Sequence, residues 1–162
     1  EYHLNVIFDT EEEEIITAID KLKIERVILN LLSNAIKFTN DGGNIMVSVK
    51  REEDNVIIEI SDDGIGMEEE IKEHVFEKFK RADFNHGLNR ENEGSGLGLF
   101  IVKGLIDLHN GKIDIKSKLN EGTTFIIKLP IRIVEDGEKE NLIGYSSLEY
   151  MFKMELSDID KK

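Results

Sequence analysis

Asn30, Asn34 and Lys37 recur at i, i+4 and i+7, so in a helix they line one stripe, with Phe38 on its border. Asn is a poor helix-interior residue because its amide competes for backbone hydrogen bonds, and a merely solvated face is more often built from Glu and Lys. Two amide oxygens and an ammonium on adjacent turns suit a phosphate and its metal ion, which call for hard oxygen ligands and a compact positive charge. A second group follows at Asp62, Gly64 and Gly66. A carboxylate at a strand end accepts a hydrogen bond from an exocyclic amine, and the two glycines leave space for a flat ring; the plain alternative is an ordinary Asp-Asp-Gly turn. A third group, Gly94, Gly96 and Gly98, opens a helix and offers backbone N–H groups to an anion at its positive end. Position 99 is Leu, which breaks the dinucleotide fingerprint, and neither a G-x-x-x-x-G-K-[ST] loop nor the paired H-R-D and D-F-G motifs occur.

These groups need a scaffold, and the hydrophobic pattern supplies one. Between Asp20 and Thr39, Ile24, Val27, Ile28, Leu31, Leu32, Ala35 and Ile36 fall three and four apart, which predicts a helix with one buried side. Asn5–Asp9 and Glu14–Ala18 read as a hairpin around the acidic turn 11–13. Asn44–Lys50 and Asn55–Ser61 read as a second hairpin. A short acidic helix is predicted from Glu68 to His74, a mobile loop from Phe79 to Glu93, and a helix from Leu97 to Leu108 closed by Asn110-Gly111. Lys112–Ser117 and Thr123–Leu129 form a last hairpin with Glu121-Gly122 in its turn. Beyond Pro130 the chain turns irregular and acidic, with Tyr150–Leu156 as a further strand candidate. The expected fold is α+β: a two-layer sandwich with a mixed, mostly antiparallel sheet of about five strands packed on three helices. Residues 1–130 form its domain and 131–162 a C-terminal extension.

The bulk properties narrow the classes. A chain of 162 residues fits one domain with a proper core. With no cysteine there are no disulfides, thiolate metal sites or cysteine nucleophiles. No apolar run reaches the roughly 18 residues a membrane helix needs, and the N-terminus lacks a signal-peptide pattern. A net charge of -13, from 34 acidic against 21 basic residues, argues against nucleic acid as the main ligand. A nucleotide can still bind where a metal ion, a Lys or Arg and backbone N–H groups outweigh the general field.

An Asn-rich helix stripe, Asp-x-Gly-x-Gly, a polar loop and Gly-x-Gly-x-Gly, in that order, form a specific combination. Over about residues 5–130 the chain resembles the catalytic, ATP-binding domain of bacterial sensor histidine kinases, within the superfamily of DNA gyrase, MutL and the heat-shock chaperones. NLLSNAIKFT resembles the N box, DDGIGM the first glycine box, VFEKFKRAD the F box and GSGLGLFIVK the second glycine box. The resemblance implies the Bergerat fold with a flexible ATP lid, the lid being residues 83–93 with Phe76 and Phe79 as anchors. It implies that Asn34 ligates Mg²⁺ with Asn30 beside it, that Lys37 and Arg81 meet phosphates, and that Asp62 binds the adenine amino group. Phe38 would lie against the base and Gly64 and Gly66 would line its pocket, with Met67, Phe79, Ser95 and Thr124 also in the nucleotide set. Gly94, Gly96 and Gly98, with Leu97 and Leu99, would form the lid hinge and the phosphate-facing helix start. His86 and Arg90 are two further basic side chains within the lid.

The family's reaction phosphorylates a histidine on a two-helix dimerisation domain, expected upstream of residue 1. A response regulator receiver domain follows as partner, with the cytoplasm as the compartment and no direct membrane contact. His3 precedes a strand and is followed by Leu4 instead of an acid, and His74 and His109 fall near helix ends, so none matches the phosphoacceptor. Two alternatives come from other classes. An ATPase of the gyrase and MutL type carries a general-base Glu one turn before the metal-binding Asn, where this chain has Asn30, an amide that cannot take a proton. A degenerate module that binds only a protein partner would have no use for an intact Asn34, Asp62 and glycine loops.

Overall fold

The computed structural model describes residues 3–10, 14–78 and 97–133. At its centre lies helix α1 (Lys21–Phe38), which buries all seven apolar residues that the sequence pattern places on its inner face. The helix begins where the Asp20 carboxylate accepts the Lys23 backbone N–H at 3.1 Å, satisfying one of the N–H groups that a helix start leaves open. It ends at Thr39, fully buried, whose hydroxyl donates to the Ala35 carbonyl at 2.6 Å.

Five strands make one sheet in the order β1-β2-β3-β5-β4, with β1 (Asn5–Thr10), β2 (Asn44–Glu52), β3 (Asn55–Asp62), β4 (Lys112–Lys118) and β5 (Gly122–Pro130). All neighbours are antiparallel except β1 and β2, which run parallel from Asn5 opposite Asn44 to Thr10 opposite Val49. Parallel neighbours need a crossover, and α1 is that crossover. Period-two alternation sends Val56, Ile58, Ile60 and Asp62 of β3 to the helical side, together with Thr123, Phe125, Ile127 and Leu129 of β5. There they meet α1 and Val102 and Ile106 of α3 (Gly98–Leu108). Helix α2 (Glu69–His74) buries none of its residues.

One expectation is overturned. Glu14–Ala18 is not a strand and makes no hairpin with β1. The segment bonds instead to the residues just past β5: the Thr17 hydroxyl accepts the Arg132 N–H at 3.0 Å and the Ala18 N–H donates to the Arg132 carbonyl at 2.7 Å. Its alternating apolar residues serve a connection that must leave the β1 edge and reach the start of α1, a path a tight turn cannot take. The acidic turn 11–13 and the strand candidate Tyr150–Leu156 lie outside the described residues.

His109 closes the pole of the sandwich where α1 starts. Its Nδ1 lies 2.8 Å from the Leu105 carbonyl and its Nε2 accepts the Asp20 N–H at 3.1 Å. A carbonyl only accepts and a backbone N–H only donates, so these two contacts match the tautomer with a hydrogen on Nδ1. His74 makes a surface contact to Glu77 at 2.6 Å. No helix among the described residues is long and apolar enough to cross a membrane.

Truncating Leu31 to Ala, at 0% exposure under the sheet, is expected to cost about 2–5 kcal/mol of stability through lost transfer energy and a cavity. Leu22→Ala, at 76% exposure on the same helix, is expected to stay within about 0.5 kcal/mol. Urea denaturation of both variants checks this; equal losses would contradict the placement of α1's inner face.

Candidate functional site

The Asp62–Gly66 turn leaves β3 and runs at once into backbone on three sides. The Ile65 N–H donates to the Phe38 carbonyl at 3.1 Å, tying the turn to the last residue of α1. A Cβ added to Gly64 would stand 2.2 Å from that same Phe38 oxygen, so only glycine permits the approach. Gly66 has φ +61, and a Cβ there would meet the Lys118 carbonyl at 1.9 Å; the Asn120 N–H reaches the Ile65 carbonyl at 2.7 Å from the same β4–β5 turn. The direction in which a side chain would project from each glycine is therefore filled by protein backbone, which holds the turn in place.

Asp62 is thereby fixed with its side chain inward, 9% exposed. Its carboxylate accepts the Gly64 N–H at 3.0 Å and the Thr123 N–H across the sheet, and no cationic side chain among the described residues accompanies it. Burial pushes its pKa up to about 6, the two backbone N–H groups pull the other way, and the charge of Asp63 adds a smaller upward push. A carboxylate offers about four acceptor positions, so the two backbone bonds leave capacity for a further donor. A buried acceptor with no cation is matched by a neutral donor such as an exocyclic amine, which supports the assignment of a base-binding role.

Helix α1 carries the rest of the stripe. Asn30, Asn34, Lys37 and Phe38 are all half-buried. The Lys37 ammonium stands 5.2 Å from the Phe38 ring centroid, a cation–π contact that brings two of the expected site residues together. The Asn30 Nδ2 donates to the Arg26 carbonyl at 2.8 Å, and its Oδ1 faces the start of α3, where a Cβ on Gly98 would come within 3.0 Å of it. Leu97 precedes α3 and has no side chain able to cap it, which leaves the first-turn N–H groups of α3 for another acceptor. Leu99 and Met67 are partly buried against the core, and Phe76 packs edge-on to Phe125 at 6.4 Å. Phe79, Arg81, His86, Arg90, Gly94, Ser95 and Gly96, with the lid 83–93, lie outside the described residues.

No group of three or more His, Cys, Asp or Glu able to hold a metal ion occurs among the described residues. A Mg²⁺ ion is commonly held by one or two protein oxygens plus substrate phosphates, so an amide oxygen from Asn34 fits that donor set better than a full protein cage would.

Thr124 is corrected. Its hydroxyl lies 2.7 Å from the Ser61 hydroxyl on the sheet face away from the helices, because Ser61 and Thr124 are register partners one step out of phase with Asp62. Thr123, 6% exposed and directly opposite Asp62, is the threonine on the site's side. Gly122 was also missed beyond its turn role: at φ +94 it lets the Asp62 carbonyl approach to 2.0 Å of where a Cβ would be. The signal for Thr123 is the two-residue period of β5 counted back from Phe125.

The family model described as histidine kinase-, DNA gyrase B-, and HSP90-like ATPase matches residues 19–133. The circadian input-output histidine kinase CikA of Synechococcus elongatus is 40% identical over 111 residues, 68% of this chain and 14% of that protein. The chain thus spans a small part of that curated relative. Among solved structures, the nucleotide-free catalytic domain of histidine kinase ThkA superposes with a TM-score of 0.69 at 30% identity, covering 80% of both chains. Histidine kinase ThkA in complex with response regulator protein TrrA gives 0.64 at 28% identity over 79% of this chain and 34% of that one.

The raised pKa of Asp62 has a stability consequence whose sign follows from linkage. A carboxyl whose folded pKa exceeds its unfolded value of 3.8 favours folding below 3.8 and loses that contribution as pH rises through about 6. The stability of Asp62→Asn minus that of the wild type is therefore expected to rise by about 2 kcal/mol between pH 4 and pH 7 in the absence of nucleotide. Unfolding curves at both pH values check this, and a pH-independent difference would show that Asp62 is not desolvated.

Proposed function

This chain belongs to the histidine kinase-, DNA gyrase B-, and HSP90-like ATPase family, and from that membership and the site geometry we propose that it is the nucleotide-binding half of a protein-histidine kinase. It binds ATP with Mg²⁺ and presents the γ-phosphoryl group to a histidine on a separate dimerisation domain. The observation that carries the reading is the inward Asp62 carboxylate, held by two backbone N–H groups with no cation among the described residues beside it.

Each residue then has a task. Asp62 accepts the adenine amine and so orients the base. Phe38 offers a ring face next to it. Asn34 gives an amide oxygen to the metal, and Lys37, beside the Phe38 ring, directs its charge to the phosphates. The bound Mg²⁺ supplies neutralisation of phosphate charge. The α3 N-terminus offers N–H groups to the same phosphates. As the family resemblance implies, Arg81 is assigned to a phosphate, Phe79 to anchoring the lid, and Gly94, Ser95 and Gly96 to the hinge and the nucleotide set. In the transfer itself the acceptor imidazole nitrogen bonds to the γ-phosphorus as the bond to the β–γ bridging oxygen breaks, releasing ADP.

Water is disfavoured as acceptor by a specific feature. The Asn30 Nδ2 donates to Arg26 and the residue has no basic site, so one turn before Asn34 there is nothing to deprotonate a water molecule. This favours transfer to a protein over ATP hydrolysis. The receiver domain of a response regulator is the next acceptor in this reading; a response regulator protein is the partner in the ThkA complex.

Adding ATP with Mg²⁺ is expected to raise the melting temperature, by an amount corresponding to about 2.7 kcal/mol at a hundred times the dissociation constant. Asn34→Ala is expected to abolish the extra shift that Mg²⁺ gives over ATP alone. With labelled ATP, the chain by itself is expected to stay unlabelled while a supplied dimerisation domain acquires label. Absence of any thermal shift at millimolar nucleotide, or label on this chain, would overturn the reading.

A further inference from the structure

Asp63 follows the base-binding carboxylate and points the other way, out of the fold. An exposed aspartate in a turn normally does no more than bond its own turn. This one reaches 19 residues back along the chain. Its Oδ1 accepts the Asn44 backbone N–H at 2.8 Å, its Oδ2 accepts the Asn44 Nδ2 at 2.6 Å, and its own N–H donates to the Asn44 carbonyl at 3.2 Å. Two adjacent residues of one strand end are thus each fixed, Asp62 by bonds to Gly64 and Thr123 and Asp63 by three bonds to Asn44. The lock continues outward, since the Asn5 Nδ2 donates to the Asn44 Oδ1 at 3.2 Å. It is also tightly fitted: a Cβ on Gly43 would lie 2.7 Å from the Asp63 Oδ1.

A carboxylate discriminates between bases only if it stands still, because a hydrogen bond weakens steeply as its angle departs from linear. The glycine contacts hold the turn from inside, at Phe38, Lys118 and Gly122. From the β2 side the Asp63–Asn44 pair holds it, next to the register pair of Ile45 and Asp62. We propose that Asp63 is a positioning residue for base recognition: by locking the strand end onto Asn44 it keeps the Asp62 carboxylate aimed at the exocyclic amine before the nucleotide arrives.

The inference rests on the assignment of Asp62 to the adenine amine, and the test separates the two. ATP and purine riboside triphosphate, which lacks the amine, are titrated against the wild type, Asp63→Ala, Asn44→Ala and the double exchange Asp63→Asn with Asn44→Asp. The wild type is expected to prefer ATP by roughly 10- to 100-fold, the value of one hydrogen bond to a charged group. In Asp63→Ala that preference is expected to fall several-fold, through weaker ATP binding, with the amine-free analogue little changed. Asn44→Ala, which loses one arm of the lock and keeps the two backbone bonds, is expected to lie between; it also serves if Asp63→Ala fails to fold. The double exchange keeps a carboxamide facing a carboxylate and is expected to restore the preference. No preference in the wild type overturns the role of Asp62 and this inference with it. A preference that survives Asp63→Ala, equal loss for both nucleotides, or failure of the exchange to restore it overturns the inference while leaving Asp62 in place.

Discussion

Everything at the candidate site depends on a turn whose backbone is packed directly against other backbone. Gly64 lies on the end of α1, Gly66 on the β4–β5 turn, and Gly122 on the carbonyl of Asp62 itself. At none of the three positions is there room for a single methyl group. Such contacts replace side-chain packing with fixed carbonyls and N–H groups, and these cannot change rotamer. The result is a rigid floor on which Asp62 is buried as an acceptor at a cost to the unliganded fold. Burial and rigidity serve the same end, because a desolvated acceptor in fixed geometry distinguishes a matching donor from a base lacking one.

Helix α1 joins this floor to the core. Its inner face is the largest contributor to the hydrophobic cluster, and its other face carries Asn30, Asn34, Lys37 and Phe38. Displacing the helix to relieve the site would therefore expose Leu31 and Leu32, so the core holds the polar stripe in register with Asp62. The start of α3 is set against the same helix through the contact between Gly98 and Asn30.

Much of this was legible in the sequence because it rests on periodicity. The apolar spacing predicts α1 to within a residue at each end, and the alternation predicts β2, β3 and the β4–β5 hairpin. Three things escaped for three physical reasons. The partner of β1 is β2, 39 residues away, and strand propensity carries no information about which edge a strand joins. The glycines of the first box signal a close approach, yet the approaching group, a distant carbonyl, exists only in three dimensions. The choice between Thr123 and Thr124 turns on a one-residue phase, which reverses the face completely and which a motif match does not fix. Asp63 was hidden for a similar reason: in sequence it is a turn aspartate, and its bond to Asn44 is a tertiary fact.

Position 30 shows how a binding scaffold can be committed to one chemistry by a single side chain. The residue stands one turn before Asn34 and beside the first residue of α3, the helix start assigned to the phosphates in the proposed reading. As asparagine it spends its amide donor on the Arg26 carbonyl and keeps only an oxygen toward α3. That oxygen can accept a proton in a hydrogen bond but cannot remove one. A glutamate there would add a charge near the phosphates and a base for water, two changes that favour hydrolysis. In the proposed reading the amide leaves the γ-phosphoryl group intact until a nucleophile arrives that brings its own lone pair, and a histidine imidazole is such a nucleophile.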